Sequence, residues 1–149
     1  MIDPQAPAAA VAQLHAMRDD IELRHDCVPC VCKRHAMTNT CRRYAVLLAK
    51  WIDKGAGKPT ARVVGGWFRR AGAGYPGAWL WEYPPGWSQD PDEKWREHWW
   101  VEVDGYYLDV TADQFFPRDA EAQARYSRVA VPKDSGIYFP ARRRPLGGR

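Results

Sequence analysis

The stretch "EHWWVEVDGYYLDVTADQF", Glu97 to Phe115, decides how this chain is read. Asp104-Gly105 sits between two alternating apolar runs, the strongest short-range signal for a β-hairpin with a two-residue turn. With that turn, Val103 faces Tyr106, Glu102 faces Tyr107, Val101 faces Leu108, Trp100 faces Asp109 and His98 faces Thr111. Side chains alternate between the two faces of a strand. One face then holds Trp99, Val101, Val103, Tyr106, Leu108 and Val110, a core face without a charge. The other holds His98, Trp100, Glu102, Tyr107, Asp109 and Thr111. His98 and Asp109 become diagonal neighbours with Cα atoms about 7–8 Å apart, close enough for an imidazole and a carboxylate that lean together. A slip of one residue would separate them.

A carboxylate that accepts from one imidazole nitrogen fixes the tautomer, stabilises the imidazolium and leaves the other nitrogen to act as a base. The plainer alternative is a satisfied cross-strand contact. A base needs a group to activate, and Cys41 is the best candidate. "TNTCRRYAVLLAKWIDKGAG" predicts a helix that Thr38, Asn39 or Thr40 caps and that ends near Gly55. Cys41, Ala45, Leu48 and Ile52 share one face, with Cys41 at the N-terminal end, where free N–H groups and the helix dipole favour a thiolate. A small buried cysteine on an apolar face is the alternative reading.

The other segments supply the frame. Residues from about Pro7 to Arg24 show helical spacing at Val11, Leu14, Met17, Ile21 and Arg24. "TARVVGGWF" from Thr60 to Phe68 reads as a strand in which Gly65-Gly66 predicts a bulge or a close backbone approach. The Gly/Pro/Trp-rich run from Ala71 to Arg96 is a long connection in which "GAWLWEY" predicts a short strand. "TADQFFPRD" predicts a turn or a short helix, and "YSRVAVP" and "GIYFP" predict short edge strands, each stopped by Pro.

The chain of 149 residues suits a single domain spanning 1–149, with a core from about 38 to 140 and a basic tail at 141–149. Its formal charge of +4 sits largely in the tail "ARRRPLGGR" and in Arg42-Arg43 and Arg69-Arg70, so a nucleic-acid partner is not expected. The N-terminus lacks a signal-peptide pattern, and no run of about 18 apolar residues predicts a membrane span. A cytoplasmic protein without a membrane partner is the expectation, and the four Cys are then thiols or ligands rather than disulfides.

The order of these features resembles the transglutaminase-like branch of the papain-like cysteine enzymes: Cys at a helix start, a strand, His on one strand and Asp on the next. "TCRRYAVLLAKW", "ARVVGGWF" and "HWWVEVDGYYLDVTADQF" carry the resemblance, over roughly Thr38 to Phe116. Bacterial and phage proteins of this type show a similar "H-x-W-x-E…DG…D-x-T-x-D-Q-F" ending. The resemblance implies an α+β fold, with N-terminal helices packed on an antiparallel β-sheet. It implies Cys41 as nucleophile, His98 as base and then acid, and Asp109 as the orienting carboxylate. Relatives attack amide or acyl carbonyls of proteins or peptides through a thioester, as proteases, deamidases, transglutaminases or acyltransferases, with no cofactor for the core chemistry. The stretch "MTNTC" lacks the Gly or Trp that many relatives carry before the nucleophile. Beside the backbone N–H of Cys41, the second oxyanion donor is therefore open among Asn39, Trp67 and Gln114. Trp100, Tyr107 and Glu102 are candidates to line the cleft, and Asp113 is a weaker alternative to Asp109.

"HDCVPCVCKRH" adds a second chemistry. Cys27, Cys30 and Cys32 with His35, or with His25, could form a structural zinc site, although the second separated ligand pair of a complete zinc signature is missing. A redox disulfide and plain loop thiols are the alternatives, and recruitment of Cys41 as a ligand would exclude it as a nucleophile. Two readings thus compete with the enzyme: a zinc-stabilised binding module, and a catalytically inactive transglutaminase-like module.

Overall fold

The computed structural model describes residues 1–24, 41–69, 95–116 and 118–142. Helix α1 spans Ala8–Arg24 and helix α2 spans Cys41–Ala56. Strand β1 (Arg62–Arg69) is followed by β2 (Trp95–Val103), β3 (Tyr106–Asp109), a 3-10 turn at Ala112–Phe115 and helix α3 (Ala120–Tyr126). Strands β4 (Val129–Pro132) and β5 (Tyr138–Pro140) end the fold. The five strands form one antiparallel sheet in the order β4-β3-β2-β1-β5, so "YSRVAVP" and "GIYFP" do supply its two edges. The architecture is α+β, as expected. Helix α3 had no counterpart in the sequence reading. Asp119 caps it, accepting from the Ala122 N–H at 2.9 Å.

The hairpin has the expected register: Val103 pairs with Tyr106, Glu102 with Tyr107 and Val101 with Leu108. Asp104 and Gly105 both take positive φ, 48° and 80°, as a two-residue turn matched to strand twist requires. Both faces of the sheet are buried. On one, Leu14, Met17 and Ile21 of α1 and Ala45, Leu48 and Ile52 of α2 pack against Val101, Val103, Leu108 and Val110. On the other, Val64, Phe68, Trp100, Tyr107, Val131 and Tyr138 form a second, aromatic core, with Phe115, Phe116 and Tyr126 against it. The hairpin face that carries His98 is therefore interior too.

That second core depends on curl. Strand β5 is three positions from β3 in the sheet order, about 14 Å away if the sheet were flat. Yet the Tyr138 hydroxyl on β5 lies 2.8 Å from a carboxylate oxygen of Asp109 on β3. The close approach foreseen at Gly65-Gly66 falls on Gly66, which pairs with His98 on one side and with Pro140 on the other. A Cβ at Gly66 would stand 2.1 Å from the carbonyl oxygen of Phe139. At the opposite edge, residues before α1 cover β4. The Asp3 N–H donates to the Ala130 carbonyl at 2.8 Å, and the Ala130 N–H donates to the Met1 carbonyl at 2.9 Å. Among the described residues, no helix is long and apolar enough to cross a membrane.

Gly66→Ala should therefore displace β5 and lower stability by about 1–3 kcal/mol, the usual cost of overpacking. Urea denaturation of the variant beside the unaltered protein checks this.

Candidate active site

The site is built where β2, β3 and the start of α2 meet. His98 and Asp109, 0% and 2% exposed, are joined by a hydrogen bond of 2.6 Å between Nε2 and Oδ2. The diagonal geometry read from the hairpin thus brings them together. Phe115 meets the His98 ring edge-on at a centroid distance of 5.0 Å, Phe68 lies at 5.8 Å, and Tyr138 stacks on it at 6.5 Å. These rings exclude water and leave the imidazole little rotational freedom.

Asp109 is held by more than His98. Its Oδ1 accepts from the Thr111 N–H at 2.9 Å and from the Thr111 hydroxyl at 3.1 Å. Its Oδ2 accepts from the Tyr138 hydroxyl at 2.8 Å as well as facing His98. Burial alone pushes this carboxylate's pKa up. The charge and hydrogen bond of His98, with the bonds from Thr111 and Tyr138, outweigh burial and hold it below the usual range. Burial likewise pushes the imidazole down, but the charge and hydrogen bond of Asp109, and then the Cys41 thiol, push it up to about 10. The pair is accordingly an imidazolium beside a carboxylate at neutral pH.

Cys41 is the first residue of α2, half-buried and not in a disulfide. Its thiol interacts with the His98 ring. No hydrogen bond joins the two, since Nδ1 is buried and has no hydrogen-bond partner among the described residues. With Nε2 committed to Asp109, Nδ1 is the nitrogen left for proton transfer. Next to Cys41, the Arg42 guanidinium lies 5.2 Å from the centre of the Trp99 ring on β2, a cation–π contact that pins the start of α2 to the sheet.

The remaining sequence candidates divide. Asn39, with the other two cap candidates Thr38 and Thr40, lies outside the described residues. So do Cys27, Cys30, Cys32, His25, His35 and the strand foreseen in "GAWLWEY". Among the described residues no group of three His, Cys, Asp or Glu side chains could hold a metal. Trp67 pairs with Glu97, which places it on the sheet face opposite His98. Trp100 and Tyr107 share the His98 face but are buried in the aromatic core. Glu102 instead bonds the surface cations Arg62 and Lys133 at 2.6 and 2.9 Å. Besides His98 Nδ1, two buried nitrogens have no hydrogen-bond partner among the described residues, Trp100 Nε1 and Gln114 Nε2. Unpaired buried donors are uncommon in folded proteins.

Asp113 does not approach His98 as an alternative to Asp109. It receives Arg18 of α1 in a forked pair, with Nη1 to Oδ1 at 2.9 Å and Nη2 to Oδ2 at 2.7 Å. Arg18 Nη1 also donates to the Val110 carbonyl at 2.8 Å, and both side chains are buried. This clamp ties α1 to the turn that carries Thr111 and Gln114. Sequence reasoning missed it, and missed Tyr138. A signal for the clamp existed, since Arg18 stands one turn after Leu14 and beside Met17 on the buried stripe of α1.

The chain matches no protein-family model, no curated protein and no solved structure.

Two outcomes follow from this geometry. Arg18→Met should cost about 3–5 kcal/mol, because Asp113 stays buried without its counter-charge, and adding Asp113→Leu should recover most of the loss. Chemical denaturation of the single and double variants measures both. The raised pKa of His98 means that the folded state holds its proton more tightly than the unfolded chain. Its contribution to stability is complete below the unfolded value of 6.5 and is lost as pH rises through about 10. Unfolding free energy should thus fall more steeply across that window in the unaltered protein than in His98→Gln.

Proposed function

We propose that this protein is a cysteine-dependent enzyme of the transglutaminase-like, papain-like type, acting on an amide or acyl carbonyl of a protein or peptide. The observation that carries the reading is a single imidazole with two partners. His98 is bound to a buried carboxylate through Nε2 at 2.6 Å, and Cys41, at the start of a 16-residue helix, acts electrostatically on the same ring. A cross-strand contact would explain the first partner but not the second.

The chemistry follows from these roles. Thiolate and imidazolium form when the Cys41 proton resides on Nδ1, and the Asp109 carboxylate stabilises the charge on the ring. The sulfur attacks the carbonyl carbon, and the oxyanion is met by the backbone N–H of Cys41 at the helix N-terminus. Gln114 Nε2, buried and without a hydrogen-bond partner among the described residues, is the second donor we favour over Asn39 and Trp67. His98 then gives its proton to the departing amine, leaving a thioester on Cys41. Water or a second amine, deprotonated by the now neutral imidazole, releases the acyl group and restores the thiol. Hydrolysis and transfer differ only in that last nucleophile. No step calls for a cofactor.

The test is the reactivity of Cys41 itself. Iodoacetamide labelling at about pH 6, resolved by peptide mass mapping from the other three cysteines, should modify Cys41 at least about tenfold faster than an exposed model thiol. His98→Ala should abolish that excess. A Cys41 of ordinary reactivity, or one indifferent to the loss of His98, overturns the proposal.

A further inference from the structure

Resting on the cysteine chemistry above, we propose that Tyr138 is a positioning residue of the site: its hydroxyl, brought over Gly66 by β5, locks the Asp109 carboxylate that aims His98 at Cys41. An ionised carboxylate offers about four lone-pair directions. All four are used here. Oδ1 takes the Thr111 N–H and hydroxyl, and Oδ2 takes His98 Nε2 and the Tyr138 hydroxyl, at 2.6 and 2.8 Å. Thr111 is two residues from Asp109 and fixes only one oxygen. Tyr138 is 29 residues away, on an edge strand, and supplies the bond that sets the angle of the other.

The tyrosine is suited to donation alone. Burial, and after it the charge and hydrogen bond of Asp109, push its pKa well above the ordinary phenol value, so it keeps its proton wherever the enzyme would work. The acceptor is the same oxygen that stabilises the imidazolium. By sharing that oxygen, Tyr138 lowers the carboxylate's basicity and so limits how tightly Asp109 retains the imidazolium proton. An imidazolium held too tightly cannot release its proton to a leaving group. The ring also restrains His98 sterically, stacked at 6.5 Å and an interplanar angle of 24°, with Trp100 at 4.9 Å behind it.

The route by which Tyr138 arrives is specific. Three strand positions separate β5 from β3, and only the curl of the sheet closes that gap. Gly66 sits in the pairing between His98 and Pro140, where any side chain would meet the β5 backbone. The absent side chain at Gly66 is thus what lets β5 deliver the hydroxyl. Among the described residues, the titratable groups interacting with the pair are Cys41 from α2 and Tyr138 from β5, with Tyr126 of α3 acting on Tyr138.

The experiment follows the His98 ring by nitrogen NMR against pH in the full chain, with iodoacetamide labelling of Cys41 run alongside. Tyr138→Phe removes the shared hydrogen bond and should raise the imidazolium pKa by about 0.5–1 unit. It should also slow Cys41 labelling several-fold at about pH 6, because Asp109 is freed to turn. Placing 3-fluorotyrosine at position 138 makes the hydroxyl a stronger donor and should move the imidazolium pKa the other way. A purely structural ring predicts no such change of sign. If Tyr138→Phe does not fold, the fluorinated variant alone decides. A His98 titration that ignores the substitutions overturns the role of Tyr138 even where Cys41 is highly reactive. Ordinary reactivity of Cys41 in the unaltered protein instead overturns the enzyme reading, and the positioning role with it.

Discussion

An ion pair buried among aromatic rings is the constraint from which the structure is organised. His98 and Asp109 have almost no contact with water, and the desolvation of two such groups costs several kcal/mol per ion unless geometry and hydrogen bonds offset it. The fold meets that demand by enclosure. Thr111 folds back onto Asp109, β5 curls over Gly66 to bring Tyr138, and Phe68 and Phe115 close the sides of the imidazole. A second buried pair, Arg18 with Asp113, holds the turn next to the first. The first pair lies just before the 3-10 turn and the second takes Asp113 within it, so the start of the turn is held twice.

The candidate triad draws its members from two separate cores. Cys41 begins α2, whose apolar residues pack on the helix side of the sheet, while His98 and Asp109 sit on the aromatic side. The start of α2 is therefore the place where the cores meet, pinned by Arg42 over Trp99. Packing changes deep in the helix-side core reach the thiol through α2. Changes in the aromatic core act directly on the imidazole.

The hairpin was legible because its information is local. A two-residue turn sets the register, the register sets the faces, and the faces set the His98–Asp109 contact. Helix α2 and the two edge strands were legible for the same reason, through periodicity and through proline stops. Two parts of the reading needed the third dimension. The hairpin's polar face reads as a cleft lining, but sheet curl makes it a second interior, and curl has no short-range signature beyond Gly66. Tyr138 lies within a strand that was anticipated, yet nothing in "GIYFP" indicates that its hydroxyl crosses the sheet to Asp109. Helix α3 is only seven residues long, too short for periodicity to separate it from a turn. Arg18 could have been found, since a guanidinium on an apolar helix stripe needs a buried partner.

The covering of β4 by the first three residues has a consequence for how the chain reaches its folded state. The bridge joins Ile2 to Ala130, nearly the whole length of the described chain apart. Contacts so distant in sequence carry a large loop-closure cost and lie on the slow side of folding. Until they form, the outer edge of β4 offers its unpaired N–H and carbonyl groups to any extended strand nearby, including one from a second unfolded copy. Removing or displacing those few N-terminal residues would open a template for association along the strand that pairs with β3. The edge that the N-terminal residues cover thus belongs to the strand that pairs, at Val129, with the Asp109 of the candidate site.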